Sequence, residues 1–165
     1  MKERFRVLKV ISEATRSLNL NEFAQMVGST SSQTMKRIQE LLKAWFLRKI
    51  GGGYGIADVG KVVLKAFSPV STDMEFRFYV ALGQPTSFSA RSLIDFYEVV
   101  KQVDVGSLEF HLHRGDFENW VRIPLNDAEL TEAFADLRIA GIAGENLRLE
   151  IVKAIEARCG FKKIG

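Results

Sequence analysis

The sequence predicts a mainly α-helical protein in two parts, and three observations carry that expectation. Apolar residues recur at helical spacing through both halves. No polar or proline-rich tract breaks them up, since the chain has only 3 prolines. The charge also changes sign near residue 67. Residues 1–67 hold 12 Lys/Arg against 5 Asp/Glu, whereas residues 68–165 hold 11 against 15. A basic half joined to an acidic half suggests that only the first meets a polyanion.

In the first half, Phe5, Val7, Leu8, Val10, Ile11 and Ala14 give one apolar face to a helix over Arg4–Thr15. Ser17–Asn19 interrupt it. Asn19 or Asn21 then caps a short helix over about Glu22–Val27, and Gly28-Ser29-Thr30 forms a tight turn into a third helix. That helix, roughly Ser31–Leu47, places Met35, Ile38, Leu41, Leu42 and Trp45 on its apolar side. Its early turns carry Ser31, Ser32, Gln33, Thr34, Lys36 and Arg37. A helix lying in a DNA major groove needs this division: small polar residues to approach base edges, with cations nearby for phosphates. Leu47–Ile50 reads as a strand, and Gly51-Gly52-Gly53 permits a hairpin tip before Tyr54. The glycines are not a nucleotide-binding loop, because no Gly-Lys-Ser/Thr follows them. Asp58 opens a further helix through Phe67.

This ordered set resembles the winged helix-turn-helix family of prokaryotic, archaeal-type transcription regulators. Leu20–Ala24 match the support helix, Ser31–Arg37 the recognition helix, and Tyr54–Gly60 the Y-x-L-T-x-x-G segment that closes the wing. Ala44-Trp45 departs from the usual Glu-Leu-Gly turn, so the recognition helix is expected to run further. The resemblance implies sequence-specific binding of double-stranded DNA through Ser31, Ser32, Gln33, Thr34, Lys36 and Arg37, with Lys49 and Tyr54 on the wing. A winged helix that docks proteins in a transcription, replication or repair complex is the alternative.

Ser68–Asp73 is the best linker, so the expected domains are 1–67, a linker at 68–75, and 76–165. Phe76–Ala81 reads as a short strand or equally as the buried start of a helix, and Gly83-Gln84-Pro85-Thr86 as a turn. Helices are expected from Ser89 or Ser92 to Val103, over Ser107–His113, over Phe117–Val121 capped by Asp116, over Ala128–Ile139, and over Gly144–Cys159.

Both histidines of the chain fall in Ser107-Leu-Glu-Phe-His-Leu-His-Arg-Gly-Asp-Phe-Glu-Asn-Trp-Val121. On a helix, His111 and His113 point roughly 200° apart, and no third histidine completes a metal-ligand set. No metal and no other cofactor is therefore expected. The stretch resembles the central motif of an uncharacterised domain family, with Arg91–Phe96, Leu125–Leu130 and Gly144–Arg148 matching its flanking helices. That family implies a domain but no activity. The residues themselves suggest that Phe110, Phe117 and Trp120 pack together, while His111, Arg114 and Asp116 form a polar network fixing the turn or lining a ligand pocket.

No apolar run approaches the ~20 residues that span a bilayer, and the charged start does not resemble a signal peptide. The single cysteine, Cys159, cannot form an internal disulfide, which fits a reducing cytoplasm. The expectation is a cytoplasmic DNA-binding regulator without enzymatic activity. It works as a homodimer, because operators are usually read in pairs, and its second half senses a small molecule, dimerises or recruits a protein.

Overall fold

The computed structural model describes residues 2–14 and 19–160. These form mostly helix, with two small two-stranded antiparallel sheets. The chain divides into two compact units. Among the described residues, one runs to Lys65 and takes in Cys159 and Gly160; the other is Ala66–Arg158.

The first unit begins with three helices, α1 (Lys2–Glu13), α2 (Leu20–Val27) and α3 (Ser31–Lys43). The break expected at residues 17 and 18 lies outside the described residues. Asn19 caps α2 by accepting from the Glu22 N–H, and the Glu22 carboxylate accepts from the Asn19 N–H in return. Gly28 ends α2 at φ +69°, and the Thr30 hydroxyl accepts from the Gln33 N–H to start α3. The hairpin β1 (Leu47–Ile50) and β2 (Gly53–Ile56) follows, with Lys49 opposite Tyr54 across a turn at Gly51 and Gly52. Helix α4 (Asp58–Phe67) follows, and its last two residues belong to the second unit. Val7, Leu8, Phe23, Val27, Ile38, Leu41, Phe46 and Val63 form the core of the first unit.

Two expectations for α3 are corrected here. The helix stops at Lys43 rather than running to residue 47, and Trp45 is 74% exposed instead of buried. The Phe46 N–H bonds the Leu41 carbonyl and the Trp45 N–H bonds that of Leu42. This terminating motif requires the penultimate residue to be left-handed, a place usually held by glycine. Trp45 holds it at φ +65°, at a cost of about 1–2 kcal/mol for a residue with a Cβ. What the motif secures is Phe46, fully buried against the core. Met35 and Leu42 are only half-buried.

In the second unit, a 3-10 turn at Thr72–Met74 replaces part of the expected linker. Strand β3 (Phe76–Ala81) pairs with β4 (Gln84–Ala90), so the expected turn at residues 83–86 is only Leu82-Gly83, with the rest a strand. Register irregularities flank Tyr79, which faces Pro85, a residue with no N–H for the ladder. The helices are α5 (Leu93–Val100), α6 (Val105–His113), α7 (Asp116–Arg122), α8 (Ala128–Ile139) and α9 (Gly144–Cys159). Ser92, Asp104 and Asp127 cap α5, α6 and α8 through their side chains. Asp116 does not cap α7 as expected; Gly115 occupies that position without a side-chain bond. The core centres on Phe76, Phe78, Phe96, Phe117, Trp120 and Phe134, and α9 buries Leu147, Ile151 and Ile155, every fourth residue along it. Phe110 does not join Phe117 and Trp120 there and remains half-buried.

Candidate functional site

The outer face of α3 is the first candidate. Ser32, Lys36, Gln39 and Lys43 are exposed, and their spacing of four, three and four residues makes one stripe along the helix. Neither Lys36 nor Lys43 has an acidic partner among the described residues. Gln33 is exposed beside the stripe, where its carbonyl accepts from the Ser29 hydroxyl. Gln39 and Lys43 were not among the residues expected to contact DNA, although the period that runs through Lys36 reaches both.

Three residues expected on this face do not stand free on it. Thr34 is buried, 1% exposed, because it shares the inner side of α3 with Ile38 and Leu41. Arg37 is engaged elsewhere: it donates to Glu3 at 2.9 Å and to Glu40 at 3.0 Å, tying α3 to α1. Arg4 also donates to Glu40 at 3.0 Å. These cations hold the Glu40 carboxyl below its usual range, Arg37 more than Arg4. Ser31 is half-buried and its hydroxyl bonds Asn21. On the hairpin, Arg48, Lys49 and Tyr54 are exposed.

The second candidate gathers the histidine motif of the other unit. His111, 4% exposed on α6, accepts from the Tyr79 backbone N–H at 2.8 Å through Nε2. Its Nδ1–H donates to Asp116 Oδ2 at 2.8 Å, and Arg114 Nε donates to the same oxygen at 3.1 Å. The polar network expected of His111, Arg114 and Asp116 is therefore present, with a strand amide as its fourth member. Trp120 lies apart from it, donating to the Met74 carbonyl at 2.8 Å and stacking on Phe96. His113 turns away, its Nδ1–H donating to the Glu109 carbonyl.

This wiring limits what His111 can do. A backbone N–H cannot accept, so Nε2 must be the unprotonated nitrogen and its lone pair is already used. General-base work or metal ligation through Nε2 would first require breaking the Tyr79 bond. Burial lowers the His111 pKa, outweighing the opposing pull of Asp116. The folded state therefore binds this proton more weakly than the unfolded chain does. The stability it contributes is fully present above about pH 6.5 and is lost as the pH falls from there through the folded value. Denaturant midpoints measured between pH 5 and pH 8 should fall on the acid side. A His111→Gln variant should be less stable at neutral pH yet lose most of that acid dependence. An unchanged pH profile in the variant would remove His111 as its cause.

Beside this network a cleft of about 530 Å³ opens between β3 and the C-terminal end of α6. Arg77, Tyr79 and Ala81, on the side of β3 opposite its buried Phe76 and Phe78, meet Phe110, Arg114 and Asp116 there. Arg114 lies over the Phe110 ring at 5.2 Å.

No helix of the described residues is long and apolar enough to cross a membrane. No family model matches the chain, and neither a curated protein nor a solved structure matches it.

Proposed function

We propose that the first unit is a winged helix-turn-helix that binds double-stranded DNA, making the chain a cytoplasmic, homodimeric transcription regulator. The observation that carries this reading is the outer stripe of α3, where Ser32, Lys36, Gln39 and Lys43 stand exposed with both lysines unpaired among the described residues. The order of three helices, a two-stranded hairpin and a fourth helix supports it. So does the three-residue link Gly28–Thr30 between α2 and α3, the length and glycine content usual for such a turn. In this reading Ser32, Gln33 and Gln39 approach base edges, while Lys36, Lys43, Arg48 and Lys49 neutralise phosphates. In the same reading the second unit, a separate compact body, supplies sensing or assembly.

The test is fluorescence anisotropy of a labelled generic duplex, titrated over several salt concentrations. Affinity should fall linearly in log salt, and each lost phosphate contact should reduce the slope by about 1. The double variant Lys36→Ala with Lys43→Ala should weaken binding and flatten the slope by about 2, without changing the melting temperature. Arg37→Ala is a poor probe, because it also removes the tie between α1 and α3. A duplex that does not bind even at low salt would end the DNA reading. The protein-docking alternative would then lead, on the strength of the exposed Trp45 and Ile50.

A further inference from the structure

The two arginines of the second-unit cleft share an arrangement. Arg77 is anchored through Nε to Glu75 at 2.8 Å, and Arg114 through Nε to Asp116 at 3.1 Å. Neither has another partner among the described residues for its terminal nitrogens. A guanidinium held by its inner nitrogen presents its outer N–H groups as a fixed fork, the geometry that matches a carboxylate or phosphate. Each anchoring carboxylate is matched by its arginine, so each fork is held in place by its own ion pair. The cleft also has apolar and aromatic lining in Phe110, Tyr79 and Leu82, and its volume falls within the range usual for small-molecule sites.

We propose that this cleft binds a small organic oxyanion, a carboxylate or phosphate carried on a flat apolar body. Arg77 and Arg114 take the anionic group, and the exposed parts of Phe110 and Tyr79 take the body. Asp73 lines the same cleft, and its carboxyl is held below the usual range by the Ser71 hydroxyl and its own backbone N–H. It adds a preference for ligands bearing an amino or hydroxyl donor. The floor reports occupancy, because the Tyr79 amide is bonded to His111, which shares Asp116 with Arg114. None of this depends on whether the first unit binds DNA.

The experiment is an NMR titration of the full ¹⁵N-labelled chain with benzoate, phenyl phosphate and benzylamine, three small ring compounds differing in the charged group. Benzoate or phenyl phosphate should shift the Tyr79 amide and Arg114 Nε signals saturably in the millimolar range, as expected for fragments of this size. Whichever anion binds more tightly identifies the natural head group. Benzylamine, which Asp73 could attract, should shift both signals far less than either anion. Arg77→Ala, on an exposed side chain that bonds only Glu75 among the described residues, should weaken binding at least tenfold with the fold intact. Arg114→Lys keeps the charge but loses the fork and the cover on Phe110, and should weaken it similarly. The proposal is overturned if neither anion shifts these signals, if benzylamine shifts them equally, or if both folded variants bind like the native chain.

Discussion

Phe117→Ala should destabilise the second unit by about 3–5 kcal/mol, the range for deleting a fully buried aromatic ring. Phe117 has no exposed surface, and its ring lies 5.1 Å from that of Phe96, 5.4 Å from Phe76 and 6.1 Å from Phe134. Those neighbours come from α5, β3 and α8, so one truncation opens a void shared by three elements. None can close it without leaving the others. A domain of this size is stable by only about 5–15 kcal/mol in total, so the loss is a large share. Urea titration followed by far-ultraviolet circular dichroism would measure it, and a change below about 1 kcal/mol would mean that the site collapses around the void. The His111 ring, 5.6 Å away, should lose its alignment with Tyr79 in the same variant.

Gly60→Ala should destabilise the first unit by about 1–3 kcal/mol, against the usual sign. In an ordinary helix interior the same exchange gains about 1 kcal/mol, because alanine restricts the unfolded chain and favours helix. Gly60 is buried in the first turn of α4 at an ordinary backbone angle, so propensity alone favours alanine. A methyl group there would lie under 3.0 Å from the Phe46 carbonyl oxygen and from the Ile56 side chain. The carbonyl cannot retreat, since it accepts the Ala57 N–H at 3.0 Å. The glycine thus lets α4 close onto the segment that leads into the hairpin. A thermal melt of the variant with a higher midpoint would refute the argument. A lower midpoint accompanied by weaker DNA binding would show that the hairpin depends on this contact.

Much of the fold was legible because local chemistry punctuates it. Residues 58–67, 128–139 and 144–159 are helices at the bounds read from sequence, with Asp127 capping the second. The failures have physical causes. Strand β4 carries Pro85 and has only Phe88 as a large apolar residue, so its alternation of Thr86, Phe88 and Ala90 was faint. Trp45 and Phe46 are adjacent aromatics, and which one turns inward is decided by how the helix terminates, a matter of backbone geometry. Thr34 could have been placed correctly, since residues 34, 38 and 41 share one side of a helix.

The candidate site was legible only where it is local. Asp116 beside His111 could be expected from their spacing. The partner of Nε2 is a strand amide 32 positions earlier, which no pattern marks. Glu3 lies 34 positions before Arg37, so the pair that withdraws this arginine from the α3 face was equally hidden. The cleft arises where β3 meets α6, and its paired guanidinium groups become visible only once those elements are adjacent.

The two tryptophans of the chain fall one to each unit, and in opposite surroundings. Trp45 stands in solvent at 74% exposure, whereas Trp120 is 7% exposed among aromatic rings. Indole emission moves to longer wavelength as water reaches the ring, so the units carry two separate optical labels without any being introduced. The red edge of the spectrum follows the corner between α3 and the hairpin, and the blue edge follows the aromatic core of the second unit. A duplex touching the first unit should disturb one edge, and a cavity in the second should move the other. A single denaturation curve recorded at both wavelengths then shows whether the units melt together or in turn.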